Sequence, residues 1–263
     1  MRAPRRLPRR TGRGTRRDCD VGRNRHGGSC VGSRPQECAA TALGSATPGP
    51  RRDFVRANTR LRPVPHVPEI RLHLADESVP LWHKTEEELG AIGLPPPYWA
   101  FAWAGGQALA RYLLDHRELV AGARVLDLAA GSGLVGIAAA LAGAAPVVAS
   151  DIDALAEDAI ALNGAANGVY VEVLVQDLLD RPVPGSRYDV ILVGDLFYER
   201  DTAARALAFL EAHAAHGSRV LIGDPGRTYL PRHRLEMCRE YSVPVTRDLE
   251  DYDIKRTAVW RLK

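Results

Sequence analysis

The alternation of apolar and polar positions becomes regular from about residue 69 onward. The segment EIRLHLAD (69–76) alternates with a period of two, which predicts a half-exposed strand. Residues 105–119 carry apolar side chains at helical spacing. Beyond them, apolar runs predict strands and amphipathic runs predict helices in turn. The strands are expected at 123–129, 145–151, 169–177, 188–195 and 218–224, and the helices at 133–143, 153–168 and 201–217.

The C-terminal part of the chain follows a different pattern. Residues 229–241 predict another helix, and two strand-like runs follow at 241–250 and 251–263. Because so short a connection can only join antiparallel neighbours, these last two strands form a hairpin. Strands that alternate with helices imply right-handed crossovers and a parallel sheet. The pattern therefore predicts an α/β fold whose mostly parallel sheet has an antiparallel strand near one edge.

The first 62 residues differ from the rest in charge and composition. They carry 16 arginines and four acidic residues, a net charge of +12, whereas the remainder carries −9. This Arg-, Gly- and Pro-rich head shows no hydrophobic periodicity, so we expect residues 1–62 to be disordered and residues 63–263 to form the domain. The head could bind nucleic acid, act as a transit peptide, or be translated from a start placed too far upstream; the last interpretation is favoured.

Several function classes are disfavoured by the composition. The uncharged stretch from Leu128 to Ser150 is interrupted by glycines and a proline, so a buried loop and helix explain it better than a membrane span. The four cysteines match no metal site, which favours a reduced, cytoplasmic protein. His213 and His216 lie near a predicted helix end, where cations are favoured without any metal. We therefore expect no metal, no membrane and a monomeric chain, with the mitochondrial matrix as the compartment if the head is a transit peptide.

Each of the five predicted βα strands ends close to an aspartate: Asp127, Asp151, Asp177, Asp195 and Asp224. In such sheets, ligands bind beyond the carboxyl ends of the strands. Gly131, Gly133 and Gly136 match the fingerprint of a dinucleotide-binding turn, but a doubly anionic pyrophosphate is poorly matched to a ring of carboxylates. S-adenosylmethionine carries a sulfonium and an ammonium instead, and the same carboxylates complement that charge.

The loop DLAAGSG (127–133) resembles the acid-x-G-x-G-x-G loop of class I S-adenosylmethionine-dependent methyltransferases. The resemblance implies a Rossmann-like, mostly parallel seven-stranded sheet with an antiparallel C-terminal strand and helices on both faces. Ala129 replaces the first glycine of that loop, and an alanine is tolerated there if its φ stays negative. Asp151 would meet the ribose hydroxyls and Asp177 the adenine amine. The candidate cofactor-binding residues are Asp127, Ala129, Gly131, Gly133, Asp151, Ile152, Asp177 and Trp103.

The segment VGDLFYERD (193–201) provides the candidate acceptor site, with Asp195 and Tyr198 as candidate catalytic residues. Adenine-N6 and glutamine methyltransferases have N-P-P-Y here, where a neutral amide holds a neutral acceptor. A carboxylate suits a cationic lysine. A lysine attacks only when neutral, however, and Asp195 by itself favours the charged form. The sequence leaves the route of deprotonation open.

The D-x-x-Y signature resembles the seven-β-strand protein-lysine methyltransferases. The segments at 95–115 and 222–227, with the closing TAVWRL, are similar to the branch that methylates the β subunit of electron transfer flavoprotein. That resemblance covers about residues 69–263 and implies lysine methylation of a folded protein. Trp99 and Trp103 could be core residues or line the cofactor or lysine channel, and the region around Trp82 could form a lid. Arg227 could pair with Asp224 or contact an acidic protein substrate.

Four alternatives remain open at this point. A ribosomal-protein-L11-type methyltransferase would share the cofactor loop, but such enzymes usually have an N-x-x-Y-like acceptor motif. A small-molecule N-methyltransferase would also fit the loop. A nicotinamide-dinucleotide oxidoreductase would use the three glycines as its fingerprint. A non-catalytic RNA-binding protein would depend on the arginine-rich head, although we regard nucleic acid as an unlikely partner of the folded domain.

Overall fold

The computed structural model describes residues 49–75, 96–179, 188–245 and 254–263. Its helices are α1 (Pro50–Asn58), α2 (Ala104–Asp115), α3 (Leu134–Leu141), α4 (Ala154–Ala166) and α5 (Arg200–Ala215). Its strands are β1 (Arg60–Val64), β2 (Val67–Leu74), β3 (Val125–Leu128), β4 (Val147–Asp151), β5 (Glu172–Val175), β6 (Val190–Gly194), β7 (Arg219–Asp224), β8 (Leu235–Pro244) and β9 (Ile254–Leu262).

The main sheet has seven strands in the order β5-β4-β3-β6-β7-β9-β8. The first five are parallel, and β9 runs antiparallel between β7 and β8. Strand order reverses between β3 and β6, which opens a crevice at the carboxyl ends of these two strands. The predicted fold class is confirmed.

Both faces of the sheet are covered by helices, as expected. Successive residues of a strand point to opposite faces, so Val125 joins one core cluster and Leu126 the other. The first cluster contains residues of α1–α4, and the second contains residues of α5. These two apolar layers hold the carboxyl ends of the strands in a fixed arrangement.

The helix predicted at 229–241 is wrong. A short 3-10 turn at Arg232–Arg234 leads instead into β8. Only Leu235 and Val243 of this strand are buried, and the chain is otherwise half-exposed or exposed. The spacing of its few apolar side chains resembled a helix, but pairing with β9 along the whole strand outweighs that local signal.

The predicted domain boundary at residue 62 also needs correction, because α1 and β1 precede it in the folded structure. Arg51 and Arg52 of α1 both pair with Asp158 of α4, and Val55 is fully buried. Strand β1 pairs with β2 in a separate two-stranded sheet. The ordered part therefore includes residues 49–62, which have no helical or strand pattern strong enough to separate them from the head. The disorder predicted for residues 1–48 lies outside the described residues.

Two predicted absences can be examined in the same regions. No helix among the described residues is long and apolar enough to cross a membrane. Cys238 forms no disulfide there; the other three cysteines and Trp82 lie outside the described residues.

Candidate active site

A cavity of about 480 Å³ lies at the carboxyl ends of β3, β4, β5 and β6. This volume is in the range of small-molecule sites. It brings together every candidate residue chosen from the sequence: Trp103, Asp127, Ala129, Gly131, Asp151, Ile152, Asp177, Asp195 and Tyr198 line it, and Gly133 lies in the loop that borders it.

The loop between β3 and α3 turns through three left-handed residues. Ala129 has a φ of 55°, so the negative φ under which alanine would fit without strain is not found, while Gly131 and Gly133 have φ values of 51° and 76°. A left-handed alanine is strained relative to glycine, and the surrounding packing must hold it. A Cβ on Gly133 would lie 2.9 Å from Ile160, so glycine is required there by both conformation and space.

Asp127 is buried beneath this loop, where its Oδ2 accepts a hydrogen bond of 2.7 Å from the Gly136 N–H. Burial raises the pKa of Asp127 to about 7, against the effect of that hydrogen bond. A Cβ on Gly136 would lie 3.1 Å from this carboxylate. Gly136 therefore makes room for Asp127, which gives the third glycine a role unrelated to a dinucleotide.

Asp151 closes the other side of the loop. Its Oδ2 accepts the Gly131 N–H at 2.8 Å, and its Oδ1 accepts the Asp153 N–H at 3.0 Å. Burial raises the pKa of Asp151, opposed by these backbone hydrogen bonds. Asp153 caps α4 through the Leu155 N–H, as predicted. Beside them, Ile152 is 75% exposed and presents an apolar side chain to the cavity.

Asp177 follows β5 and shares the cavity with Arg205 of α5. Their side chains form an ion pair of 2.7 Å, and Asp177 also accepts the Leu179 N–H. Both side chains are partly exposed. The sequence did not indicate this pairing, which partly offsets the negative charge at this strand end.

Asp195 lies directly after β6 with a φ of 57°. Its Oδ2 accepts the Gly106 N–H of α2 at 2.9 Å, and its Oδ1 is 2.9 Å from Nη2 of Arg227. A Cβ on Gly105 would lie 2.6 Å from the same carboxylate, so α2 approaches Asp195 as closely as its backbone allows. Tyr198 is 47% exposed at the cavity rim, with its ring centroid 5.9 Å from that of Tyr98.

Arg227 forms an ion pair that the sequence did not predict. Its guanidinium pairs with Asp195 and lies 5.8 Å from the ring of Trp103, whereas Asp224 uses its Oδ1 to accept the N–H groups of Gly226 and Arg227. The possible ion pair between Asp224 and Arg227 is thus replaced by a backbone turn. No sequence signal connects Asp195 to a residue 32 positions later.

The two tryptophans have different positions. Trp99 is buried at 2% exposure and belongs to the core, although its edge reaches the cavity. Trp103 is half-buried, precedes α2, and donates a hydrogen bond from its indole N–H to the Tyr98 carbonyl. The interpretation as core packing therefore suits Trp99, and the interpretation as cavity lining suits Trp103.

The carboxylates and the apolar side chain that line the cavity suit S-adenosylmethionine. Asp151 accepts the Gly131 N–H of the glycine loop, Asp127 accepts the Gly136 N–H in the first turn of α3, and the exposed Ile152 lies beside them. Negative charge at this end complements a cationic ligand, and the apolar side chain offers a surface for a flat ring. Among the described residues, no cluster of histidine, cysteine or acidic side chains could hold a metal ion.

A sheet in this strand order, with a glycine loop after β3 and an acidic residue ending β4, defines a class I S-adenosylmethionine-dependent methyltransferase. A family model described as lysine methyltransferase matches residues 99–234. The electron transfer flavoprotein beta subunit lysine methyltransferase of Mus musculus is 40% identical over 199 residues, which cover 73% of this chain and 76% of the mouse protein. Its counterpart in Xenopus laevis is 36% identical over 233 residues, covering 86% and 89%.

The chain therefore belongs to the lysine methyltransferase family, and it is an S-adenosylmethionine-dependent protein-lysine methyltransferase. A ribosomal protein L11 methyltransferase of Synechococcus sp. (strain RCC307) is 39% identical, but only over 114 residues, 42% of this chain and 37% of that protein. The family favours the sulfonium cofactor over a nicotinamide dinucleotide as the ligand of the glycine loop.

Proposed function

We propose that this enzyme transfers methyl groups to lysine side chains on the β subunit of electron transfer flavoprotein. The observation that carries the proposal is the similarity to proteins named for that activity in Mus musculus and Xenopus laevis, which extends over more than two thirds of the chain. An acceptor carboxylate at Asp195, in place of the amide expected in L11-type enzymes, supports lysine as the acceptor.

S-adenosylmethionine supplies an electrophilic methyl group on its sulfonium. We assign Asp151 to the ribose hydroxyls, Ile152 and Asp177 to the adenine, and the backbone at Gly131 and Gly133 to the methionine tail. Asp127 supports the loop from below through the Gly136 N–H, and Ala129 shapes its first turn. Trp103 covers the cavity next to the acceptor end.

Asp195 and Tyr198 hold the acceptor amine in this proposal. The amine must approach the methyl carbon in line with the bond that breaks, so the main task of the protein is alignment. The hydrogen bond from α2 and the ion pair with Arg227 keep the Asp195 carboxylate in one orientation. The half-exposed Tyr198 is accessible to a lysine that enters from a protein surface.

The partner, assembly and compartment follow from the same proposal. A folded protein substrate needs an open rim, and Tyr98 and Tyr198 provide exposed aromatic side chains there. We propose that the chain acts as a monomer on this protein in the cytoplasm, or in the mitochondrial matrix if the head is a transit peptide. Nucleic acid is not part of the proposed reaction.

The experiment combines the full chain, labelled S-adenosylmethionine and purified flavoprotein β subunit, followed by mass spectrometry of the labelled peptides. We expect label on lysine, and about 100-fold slower labelling with the Asp195→Asn variant. Ribosomal protein L11 and a mixture of small amines serve as competing substrates. Label on one of these, with none on the flavoprotein subunit, would contradict the proposed substrate.

A truncated chain for this assay should start no later than Gly49. Helix α1 pairs with α4 through its arginines, so a deletion of residues 1–62 would remove part of the fold. With a start at residue 49, we expect catalysis to survive. Any nucleic-acid affinity of the basic head should then be lost without loss of methyl transfer.

A further inference from the structure

The carboxylate proposed to hold the acceptor amine is not an isolated negative charge. Asp195 Oδ1 is 2.9 Å from Arg227 Nη2, and the Asp195 side chain is only 9% exposed. The partner guanidinium is 21% exposed and lies against the Trp103 ring. An amine that enters the cavity at Asp195 therefore meets a buried ion pair with a fixed positive charge beside the carboxylate.

That positive charge changes the protonation state the site prefers. A lone buried carboxylate stabilises a lysine ammonium and raises the pKa of the amine, whereas an added cation within about 4–6 Å lowers it. We propose that Arg227 is a positioning residue that offsets the charge of Asp195, so that the acceptor lysine is held as a neutral, nucleophilic amine. This inference rests on the proposed role of Asp195 at the acceptor nitrogen.

The turn that carries Arg227 is built to keep the guanidinium in place. Asp224 Oδ1 accepts the N–H groups of Gly226 at 2.6 Å and of Arg227 at 2.7 Å, and Gly226 adopts a φ of 92°. Asp224 is itself almost fully buried at the end of β7. Because its carboxylate is engaged by the backbone of the turn, it fixes the start of the Arg227 side chain.

Other ionisable groups also face this part of the cavity. Tyr98 from the segment before α2, and Tyr198 and Glu199 from the loop after β6, line the cavity, while the buried Asp224 at the end of β7 interacts electrostatically with Asp195. None of these four groups is a cation, whereas the guanidinium of Arg227 lies 2.9 Å from the Asp195 carboxylate. Removal of the Arg227 charge therefore tests its effect on the protonation of the acceptor amine.

The chemistry balances with a neutral amine. The lysine ammonium first loses one proton to water as it enters the site. The amine nitrogen then forms a bond to the methyl carbon with its lone pair, while the carbon–sulfur bond breaks and its electron pair stays on sulfur. The positive charge thus moves to the nitrogen, where the adjacent guanidinium of Arg227 disfavours it and promotes release of the methylated lysine.

The test measures the protonation of the acceptor lysine directly. Flavoprotein β subunit with ¹³C-labelled lysine is bound to the full-length enzyme together with S-adenosylhomocysteine, which has no sulfonium charge. The ¹³Cε shift of the methyl-acceptor lysine is then followed against pH. In the wild-type complex we expect a lysine pKa below its ordinary value of about 10.4. In Arg227→Gln we expect that pKa to rise by about one to two units.

Two matched variants separate charge from structure. Arg227→Lys keeps the positive charge and should keep the wild-type lysine pKa to within about half a unit. Arg200→Gln removes a cation that lies over Tyr229 rather than at Asp195, and it should leave the lysine pKa unchanged. In the pH profile of kcat, the rising limb should move to higher pH in Arg227→Gln and stay in place in the other two variants. The KM of Arg227→Gln should change little.

The outcomes distinguish this inference from the proposed function. Methylation of the flavoprotein subunit by the wild type, with the same lysine pKa in wild type and Arg227→Gln, would overturn the role of Arg227 alone. A wild-type enzyme that methylates no lysine of this subunit would overturn the proposed function and this inference with it. If Arg227→Gln does not fold, judged by lost affinity for S-adenosylhomocysteine, a wild-type lysine pKa at or above about 10.4 is still sufficient to reject the inference.

Discussion

The two ends of the cavity hold their carboxylates in different ways. At the cofactor end, Asp127 and Asp151 accept hydrogen bonds from backbone N–H groups of the glycine loop and of the segment after β4. At the acceptor end, Asp195 combines one backbone N–H with a guanidinium from a distant turn. The first end depends on backbone shape and glycines. The second depends on a charge pair between parts of the chain that are far apart in sequence.

This difference explains where negative charge remains available. Two of the five strand-end aspartates pair with arginines, at Asp177 and Asp195. At the ends of β3 and β4, Asp127 and Asp151 accept backbone N–H groups instead. In the proposed acceptor role, the Asp195 carboxylate paired with Arg227 would orient an amine with less stabilisation of its protonated form.

The largest effect is expected from crowding the acceptor end. In Gly105→Ala, the new methyl group would overlap the Gly223 carbonyl oxygen and approach Asp195 Oδ2. We expect a loss of about 3 kcal/mol or more in the free energy of unfolding, measured by urea denaturation, since neither neighbour can move cheaply. Gly106→Ala is the matched control. Its Cβ would meet Val135 at 3.7 Å, so its stability should be unchanged or up to about 1 kcal/mol higher.

The next effect concerns catalysis alone. Asp195→Asn keeps the shape of the side chain but removes the charge that pairs with Arg227. We expect kcat to fall by about 100-fold because the amine loses its alignment. Calorimetric affinity for S-adenosylhomocysteine should change by less than threefold. A parallel loss of cofactor affinity would mean that the two ends are not independent and that Asp195 has a structural role.

A pH-dependent effect is expected at the cofactor end. The pKa of Asp127 is raised to about 7 in the folded protein, so between about pH 4 and pH 7 the folded state binds more protons than the unfolded chain. Stability that is present at low pH is therefore lost as the pH rises through this window. In Asp127→Asn we expect this decline to be smaller by about 4 kcal/mol in total, measured by urea denaturation at several pH values. An unchanged slope would show that the carboxyl is not protonated in the folded state.

A reciprocal effect on the cofactor is expected from Asp151→Ala. The N–H groups of Gly131 and Asp153 would lose their acceptor, and the glycine loop would lose a link to β4. We expect affinity for S-adenosylmethionine to fall by about tenfold or more, since an unsatisfied N–H costs about 1–3 kcal/mol. The kcat at saturating cofactor should stay within about threefold of the wild type. The cofactor affinity of Asp151→Asn, which keeps one acceptor oxygen, should lie between those of the wild type and Asp151→Ala.

The smallest effect is expected at Arg205. Its ion pair with Asp177 is more than a third exposed on both sides, and such pairs contribute little. Arg205→Gln should change cofactor affinity by less than about threefold and the free energy of unfolding by less than about 1 kcal/mol. A larger loss of affinity would place Arg205, rather than Asp177 alone, among the cofactor-binding residues.

Several features of the site followed from short-range sequence patterns. The glycine loop, the aspartates that end the strands and the Asp195–Tyr198 spacing could all be located because each lies at the end of an apolar run. Parallel strands place their carboxyl ends at one edge of the sheet, so residues far apart in sequence were expected to meet there. The structure brings the glycine loop, Tyr198 and four of the five strand-end aspartates to a single cavity, while Asp224 lies outside its lining. Their assigned roles remain proposals for the variants above.

Other features depended on contacts that no short window contains. The strand Leu235–Pro244 resembled a helix because of the spacing of its few apolar side chains. It is a strand because it pairs with β9. The left-handed conformation of Ala129 is imposed by the loop around it, against the local preference of alanine. Helix α1 could not be separated from the basic head because the contacts that hold it, including ion pairs with Asp158 of α4 and the burial of Val55, are tertiary.

The amino-acid sequence by itself determined the α/β architecture, the cofactor loop and the edge of the sheet where the chemistry takes place. These follow from the period of apolar residues and from the direction of the strands, which are local properties. Only the tertiary structure decided that Arg227 shares a carboxylate with the acceptor site. Electrostatic partners are determined by distance in space, and Asp195 and Arg227, 32 positions apart in the sequence, come within 2.9 Å of each other only when β6 and β7 lie side by side.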